Sequence, residues 1–255
     1  MLSAERIDAV KISGPDDIRR AAEALRDIAA ACGFQAAPAH NIAERRSPVD
    51  ADGNLLAQSV FGWEDKPDVW WRQSRLALSS PLTMACRLEN EPFWANADGI
   101  HPRLPNPELN KIDLQNFEAR AFARAAILVP VHMALGQVGA VSFVPLEAHR
   151  TDLAEDFARY GDALGIYGRA FITSYTRIDA AAPRLSADHA LTRYEVECLR
   201  WASIGKTDED ICMIMSRSRA TIRYHLKNAA DKLNAVNRSQ TVFKATQLGY
   251  LSTRS

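Results

Sequence analysis

The sequence predicts two domains: an α+β N-terminal domain, in which helices cover both faces of an antiparallel sheet as an α/β/α sandwich, and an all-α domain of four helices. Three observations support this prediction. Helix and strand signals alternate through residues 1–178, and two apolar segments within residues 127–144 are spaced as a hairpin. From residue 191 to residue 248 the apolar spacing is helical, with short gaps. The length of 255 residues suffices for two domains of ordinary size.

The first half of the N-terminal domain is assigned from the spacing of its apolar residues. They recur at helical spacing over residues 18–32, and Gly33 is expected to end that helix. A short strand is predicted at residues 54–61, and an aromatic-rich helix at residues 68–79. A further helical face is formed by Leu114, Phe117, Ala121 and Phe122.

A long apolar stretch at residues 121–146 is predicted to form two strands rather than a membrane-spanning helix. Polar residues, prolines and glycines interrupt this stretch, whereas a membrane helix needs about 20 nearly unbroken apolar residues. Residues 127–132 and 138–144, separated by a loop with Gly136, have the pattern of a β-hairpin. No membrane partner is therefore expected.

A long helix is predicted to follow the hairpin, with Thr151 as its N-cap. Its apolar residues keep a 4-3-4-3-4-3 spacing, which produces a continuous stripe along one face. Two interpretations of the stripe remain open: packing within the core of its own domain, or contact with a second copy in a dimer. The stripe consists of Leu153, Phe157, Tyr160, Leu164, Tyr167, Phe171 and Ser174.

The domain boundary is placed at residues 179–184, a short segment of mainly small residues whose proline resists helix continuation. This linker separates a domain of residues 1–178 from a domain of residues 185–255. The formal net charge of zero hides an asymmetry between them. From Arg184 onward the chain has 12 Lys or Arg against 7 Asp or Glu, whereas the preceding residues have 19 against 24. The basic C-terminal region indicates a nucleic-acid partner that binds there.

Composition and motifs argue against several other classes of protein. The charged fraction is an ordinary 24% and no signal peptide is expected, so the sequence predicts a cytoplasmic protein. The four cysteines have neither CxxC nor zinc-ligand spacing and are predicted to be reduced apolar fillers, and no metal or cofactor is expected. The motifs GxSxG, HExxH and GxGxxG do not occur, which argues against an enzyme. Gly205-Lys206-Thr207 is not a phosphate loop, because Arg200 stands where that motif requires glycine.

The C-terminal domain is predicted to contain four helices joined by short turns. The helices are expected at residues 191–203, 208–215, 219–233 and 239–248. The expected N-caps of the first three are Thr192, Thr207 and Ser218. The buried stripe of the second helix is expected to comprise Ile211, Ile214 and Met215.

The third of these helices carries two different faces. Apolar residues at positions i, i+4, i+7 and i+11 fall within a narrow sector that can pack on a core, and a stripe of cations lies roughly a quarter-turn away. In a helix-turn-helix setting such a helix can enter the major groove of DNA. The apolar sector consists of Ile222, Leu226, Ala229 and Leu233. The cationic stripe consists of Arg219, Arg223 and Lys227.

The segment from Leu191 to Leu251 resembles the LuxR-type helix-turn-helix domain at many separate points. They include Leu191-Thr192, Glu195, Leu199, Trp201, Gly205-Lys206-Thr207, Ile211, Ser218, Thr221-Ile222, His225, Lys232-Leu233, Asn237-Arg238 and Gln240. The resemblance implies that the third helix is the recognition helix. It places base contacts at Arg223, Tyr224 and Lys227, and phosphate contacts at Thr221 and nearby groups.

The predicted set of DNA-binding residues has further members. Arg219 and Lys206 are included in the DNA-binding set. Arg217 stands where the family usually has a small aliphatic residue, and it either turns outward to a phosphate or loosens the turn. The fourth helix, from Ser239, resembles the contact between two DNA-binding domains in a dimer. The implied partner is double-stranded DNA with a palindrome-like operator.

Residues 1–178 resemble, more weakly, the autoinducer-binding domain of quorum-sensing LuxR-type regulators. The order of elements matches, as do several aromatic, proline and serine positions. The ligand-binding residues that this resemblance implies are Trp70, Trp71, Ser80, Phe93, Trp94 and Ser142. Ser80 stands where the family has an Asp that accepts the ligand amide N–H. Three occupants remain open: an acyl-homoserine lactone, another small apolar ligand, or none.

The sequence therefore predicts a dimeric LuxR-type transcription regulator with a sensor-like N-terminal domain, and activation and repression both remain open. The alternative is a ligand-independent or heterodimerising regulator of the same type, which acts through protein partners. Homodimer and heterodimer both remain open.

Overall fold

The computed structural model describes residues 3–43, 47–63, 79–178 and 190–251. The chain forms two compact units, the first made mainly of residues 1–182 and the second mainly of residues 183–255. The predicted linker, residues 179–184, lies outside the described residues. Within the described ranges, no helix has the length and apolar composition that crossing a membrane requires.

The N-terminal unit is an antiparallel sheet with helices on both faces, which confirms the predicted α+β class. The strands among the described residues form one five-stranded sheet in the order β1-β5-β4-β2-β3. In chain order the helices and strands are α1 (Ala4–Ala9), α2 (Ile18–Ala31), β1 (Phe34–Ala39), α3 (Leu56–Ser59), α4 (Pro81–Leu88), β2 (Phe93–Asn96), β3 (Ile100–Pro102), α5 (Phe117–Ala121), β4 (Ala125–His132), β5 (Val138–Pro145) and α6 (Ala154–Ile178).

The predicted hairpin is the centre of this sheet. Strands β4 and β5 pair antiparallel, with Ile127 opposite Phe143 and Leu128 opposite Ser142. Gly136 in the connecting turn has φ +70°, a backbone conformation that glycine adopts without a Cβ clash. Side chains of successive residues point to opposite faces of a strand, so each strand contributes to two separate cores.

One face of the sheet packs against helices α2 and α6. Ile127, Val129 and Phe143 are fully buried there. Five residues of the predicted stripe on α6 and in the turn before it, Leu153, Phe157, Leu164, Tyr167 and Phe171, are buried in this same core. This placement supports the core-packing interpretation of the stripe over the dimer-contact interpretation. Tyr160 and Ser174 are half-buried.

The other face of the sheet packs against α4 and the segment around α5. Phe93 and Leu128 on this face are fully buried, and Ala126 and Ala140 also belong to this second core. The small side chain of Ala140 leaves room between sheet and helix. The cavity described below lies on this face.

One further helix prediction in the N-terminal unit is correct, whereas a strand prediction and a cap prediction are wrong. Helix α2 begins at Ile18 as expected, and Gly33 follows it with φ +85°. The strand predicted at residues 54–61 is instead the short helix α3, because Leu56 and Val60 are buried together at helical spacing. Thr151 does not cap α6, which begins at Ala154.

The reason for the later start of α6 is local hydrogen bonding. The Asp152 carboxylate accepts a hydrogen bond from the Ala154 N–H at 2.9 Å. The Thr151 carbonyl instead accepts from the Asn96 side chain at 3.0 Å, which ties this corner to β2.

Two further helices were predicted in this unit. The aromatic-rich helix at residues 68–79 lies outside the described residues except for Ser79. Helix α5 is shorter than predicted, because Leu114 precedes it and Phe122, at φ +55°, ends it.

The C-terminal unit contains the predicted helices, here α7 (Arg193–Ser203), α8 (Asp208–Met215), α9 (Arg219–Lys232) and α10 (Arg238–Gln247). Thr192, Thr207 and Ser218 cap the first three as expected, each accepting a backbone hydrogen bond from the third residue of its helix. Thr192 and Thr207 also form reciprocal capping boxes, with Glu195 and Asp210.

The expected apolar sector of α9 forms the centre of this unit. Ile222, Ala229 and Leu233 are buried, and Leu226 is half-buried beside them. The expectation for α8 is only partly correct: Ile211 is buried and Met215 is half-buried, but Ile214 is 43% exposed. An eight-residue helix has two turns, and Ile211 and Met215 at i and i+4 already occupy its inner face.

A buried ion pair joins the first and third helices of the C-terminal unit. The Glu195 carboxylate accepts hydrogen bonds from the Thr192 backbone N–H at 2.7 Å and from Lys232 Nζ at 2.8 Å. Burial by itself would raise the pKa of Glu195, but these hydrogen bonds and the Lys232 charge hold that pKa below its ordinary value. The charged form of Glu195 therefore stabilises the folded state.

We expect Glu195→Gln to lower the opening free energy of α7 and α9 by about 1–3 kcal/mol at pH 7, because a buried charged hydrogen-bond network is lost. Since the folded-state pKa is lowered, the stabilisation is present above the unfolded pKa of about 4.3 and is lost as pH falls through the folded value. Amide hydrogen exchange of residues 193–203 and 219–232 measures this opening.

The matched control is Glu197→Gln on the same helix, whose carboxylate forms a more exposed pair with Arg200. We expect the control to change the opening free energy by less than about 0.5 kcal/mol. Equal effects of the two substitutions would contradict the role assigned to the Glu195 network.

Candidate nucleic-acid interface and ligand pocket

Helices α8 and α9 form a tight helix-turn-helix pair. Three residues join them, and the first, Ser216, has φ +51° in the left-handed region. The Ser218 hydroxyl then caps α9 by accepting from the Thr221 N–H at 3.2 Å. Ile211 of α8 and Ile222 of α9 are both fully buried in one apolar cluster beneath the turn. This cluster fixes the crossing of the two helices.

The outward face of α9 carries four of the predicted DNA-binding residues. Arg219, Arg223, Tyr224 and Lys227 are all exposed, and Tyr224 is 63% exposed. Arg223, Tyr224 and Lys227 lie a quarter-turn or more around the helix from buried Ile222, and Arg219 lies somewhat nearer to it. The structure therefore brings these four predicted residues together on one solvent-facing surface.

The other predicted DNA contacts lie at or near the two ends of α8. Lys206 and Arg217 are exposed. The Arg217 side chain donates to the Ser216 carbonyl at 3.3 Å. Thr221 is half-buried, and its hydroxyl lies 2.9 Å from the Ser218 hydroxyl, so it takes part in the cap of α9.

Carboxylates in the first turn of α8 face the arginines of α9, a feature that sequence reasoning missed. Glu209 Oε1 lies 3.0 Å from Arg219 Nη1, and Asp208 Oδ2 lies 3.6 Å from Arg223 Nε. Asp208 also pairs with Arg238. The run Asp208-Glu209-Asp210 was a usable signal, because acidic residues favour a helix N-terminus, but their partners depend on the crossing of the helices.

Aromatic rings extend this surface. The His225 ring stacks on Tyr194 of α7 at 5.5 Å between centroids and meets Tyr224 edge-on at 5.6 Å. Tyr194 is 49% exposed. The stack links α7 to the exposed cationic face of α9.

The N-terminal unit contains a cavity of about 150 Å³ between the second face of the sheet and α4. Helix α4 contributes Leu82, Thr83 and Cys86, and β5 contributes Ala140, Ser142 and Val144. Burial raises the pKa of the Cys86 thiol to about 12, so it is neutral at ordinary pH. The remaining lining residues are Ala37, Pro38, Ala39, Ile42, Ser47, Ala57, Trp63, Ser80, Ala121, Phe122 and Leu128. None of these described lining residues carries a charge.

The predicted ligand-binding residues divide between three places. Ser80 and Ser142 line the cavity. Phe93 lies on the same face of the sheet but is fully buried in its core, and Trp94 faces the opposite core, stacked on His101 at 4.0 Å. Trp70 and Trp71 lie outside the described residues. Trp63, Thr83 and Cys86 line the cavity although they were not predicted to, because the sheet and α4 bring together residues distant in sequence.

Ser80 is the most informative residue of this cavity. It precedes the first turn of α4 and is 1% exposed, yet its hydroxyl does not cap that helix. The Ser80 Oγ has no hydrogen-bond partner among the described residues. A buried hydroxyl left in this state costs free energy unless an occupant of the cavity bonds to it.

Comparisons with known proteins agree with this architecture. Residues 189–245 match the family model described as bacterial regulatory proteins, luxR family. The chain is 27% identical over 188 residues to the transcriptional activator protein AhyR of Aeromonas hydrophila, a match that covers 72% of this chain and 71% of AhyR.

The structural matches cover both units. The crystal structure of Escherichia coli SdiA matches with a TM-score of 0.55 at 16% identity, covering 97% of this chain and 95% of that one. A structure of SdiA in complex with octanoyl-rac-glycerol matches with a TM-score of 0.52 at 16% identity, covering 96% and 92%. The C-terminal unit therefore contains a luxR-family helix-turn-helix domain, and the chain as a whole is similar in sequence and in fold to LuxR-type transcriptional regulators.

Proposed function

We propose that this regulator binds double-stranded DNA by inserting α9 into the major groove. The single observation that carries the proposal is the division of α9 into a buried apolar face and an exposed cationic face. Because Ile222 and Ala229 pack into the core, α9 presents Arg223 and Lys227 to solvent. The major groove of DNA is wide enough to admit such a helix. Residues 185–255 are the proposed DNA-binding domain, and residues 1–178 the proposed sensor domain.

The exposed side chains have different proposed roles. Arg223, Tyr224 and Lys227 contact base edges, since arginine and lysine donate to guanine O6 and N7. Arg219, Lys206 and Arg217 neutralise phosphates, as does the first turn of α9 near Thr221. The phosphate contacts position the domain, while the base contacts select the sequence.

We propose that the functional unit is a dimer. Two-fold related recognition helices read half-sites about one helical turn apart, which matches a palindrome-like operator. The exposed apolar residues Phe243 of α10, 60% exposed, and Val236 beside it, 85% exposed, support a contact between two C-terminal domains. A homodimer of this chain and a heterodimer with a related regulator both fit this arrangement.

For the N-terminal domain we propose a small, largely apolar ligand in the cavity beside Ser80. A volume of about 150 Å³ holds a group the size of benzene. The ligand would place a polar group at the Ser80 hydroxyl and an apolar group against Leu128 and Val144. The SdiA complex with octanoyl-rac-glycerol supports this class of ligand, because that protein shares the fold.

An acyl-homoserine lactone is a weaker candidate for this cavity. The resemblance to autoinducer-binding domains assigns a carboxylate to accept the ligand amide N–H, but the residue at that place is Ser80. A neutral hydroxyl forms a weaker hydrogen bond than a carboxylate does. The described lining offers no other carboxylate for this role.

The second candidate function is ligand-independent regulation through a protein partner. The same lack of a carboxylate beside Ser80 favours it, and it uses the same DNA-binding domain. Mass spectrometry of purified, denatured protein separates the two candidates. A small molecule released from the protein supports the sensor, whereas a stable dimer that releases none supports the partner-driven regulator.

We expect Arg223→Ala and Lys227→Ala each to weaken binding to a selected duplex by about 1–3 kcal/mol without changing the fold. The duplex is obtained by in vitro selection with the unsubstituted protein, and binding is measured by gel-shift titration. The control is Arg200→Ala, an exposed arginine of α7 paired with Glu197, and we expect it to bind as the unsubstituted protein does. Unchanged binding by both recognition-helix variants would contradict the proposed docking.

We expect Ser80→Ala to weaken binding of octanoyl-rac-glycerol about two- to tenfold, because one neutral hydrogen bond is worth about 0.5–1.5 kcal/mol. Titration calorimetry measures the affinity, and N-octanoyl-homoserine lactone serves as the amide-containing comparison. Ser59→Ala, an exposed serine that does not line the cavity, is the control. Equal affinities of the Ser80→Ala and Ser59→Ala proteins for the glycerol ester would exclude Ser80 from its binding.

A further inference from the structure

The two carboxylates at the start of α8 approach two arginines of α9 at different atoms. Asp208 approaches Arg223 at Nε, the inner nitrogen of the guanidinium, with the two atoms 3.6 Å apart. Glu209 instead approaches the terminal Nη1 of Arg219, at 3.0 Å. The two carboxylates therefore leave different parts of the arginine side chains available.

Asp208 is itself held in place by the rest of the C-terminal unit. Its second carboxylate oxygen pairs with Arg238 at the start of α10. The Arg238 guanidinium also donates to the Lys206 carbonyl at 2.6 Å, in the turn before α8. The Asp208 side chain is only 23% exposed, whereas that of Glu209 is 71% exposed. Asp208 is thus held by several partners, and Glu209 is an exposed surface charge by comparison.

We propose that Asp208 is a positioning residue that sets the base specificity of Arg223. A guanidinium is planar, so a carboxylate beside Nε restrains the plane and leaves the two terminal amino groups for a guanine edge. Bidentate recognition requires that orientation, and an arginine oriented in advance loses less side-chain entropy on binding. The inference rests on the proposed function, in which Arg223 contacts bases.

Glu209 has a different effect on DNA binding. Its carboxylate competes with DNA phosphates for the terminal amino group of Arg219 and adds negative charge close to the phosphate backbone. This effect is independent of base sequence. Loss of Glu209 therefore raises the affinity for every duplex by a similar factor, whereas loss of Asp208 changes the ratio between duplexes.

The experiment compares Asp208→Asn, Glu209→Gln and the control Glu197→Gln, each of which removes one negative charge. The probes are a duplex selected in vitro with the unsubstituted protein and a scrambled duplex of the same length, titrated at several salt concentrations. We expect Asp208→Asn to lower the selected-to-scrambled affinity ratio about tenfold, on the scale of one bidentate base contact. We expect Glu209→Gln to strengthen both complexes about two- to threefold with the ratio unchanged, and Glu197→Gln to change neither.

Because Asp208 also pairs with Arg238, a loss of the fold must be separated from a loss of positioning. Asp208→Asn is therefore repeated in an Arg223→Ala background. If Asp208 acts through Arg223, the substitution no longer changes the affinity ratio there, and Asp208→Glu in the native background restores part of it. A general weakening of the domain would lower binding in both backgrounds.

Three results would overturn the positioning role: an unchanged ratio for Asp208→Asn, an equal fall of the ratio in the Arg223→Ala background, or the same fall for Glu197→Gln. If the unsubstituted protein enriches no sequence, the proposed reading of DNA by α9 fails and the role of Asp208 fails with it. If a sequence is enriched and Asp208→Asn keeps the full ratio, only the positioning role fails.

Discussion

What the C-terminal domain presents to a partner depends on the burial of one side of α9. Ile222 and Ala229 are fully buried, and a helix of 3.6 residues per turn cannot rotate without exposing them. Burial of such side chains stabilises the packing of α9 against the core by a few kcal/mol. The rotation of the helix is then fixed, so Arg223 and Lys227 must face solvent. The cationic surface is thus a consequence of apolar packing on the other side.

The N-terminal domain is subject to a similar constraint, because its sheet must be covered on both faces. Helix α6 covers one face with large buried residues such as Leu164 and Phe171. On the other face, the small residues Ala39 and Ala140 leave space beside α4. An occupant of that space adds its binding free energy to the stability of the folded domain. It changes DNA binding only to the extent that it binds the competent state more tightly.

Elements whose sequence signals lie within a few residues of one another could be predicted from the sequence. The caps Thr192, Thr207 and Ser218 hydrogen-bond within three residues, so the helix starts that they predict are confirmed. The missed features depend on packing between distant segments. Ile214 matched the periodicity of α8 but is exposed, because periodicity does not give the width of the covered face. The pairing of Asp208 with Arg223 requires the crossing of two helices, and the cavity lining joins α4 to β5.

We propose that α9 reads base edges in the major groove. Guanine-N7 methylation interference on the duplex selected in vitro tests this proposal most directly. N7 lies in the major groove, where arginine donates to it. The account predicts that methylation inhibits binding at two groups of guanines about one helical turn apart. It also predicts that interference is lost from part of each group for the Arg223→Ala protein. Binding that tolerates methylation at every guanine but is abolished by a minor-groove ligand would contradict the account.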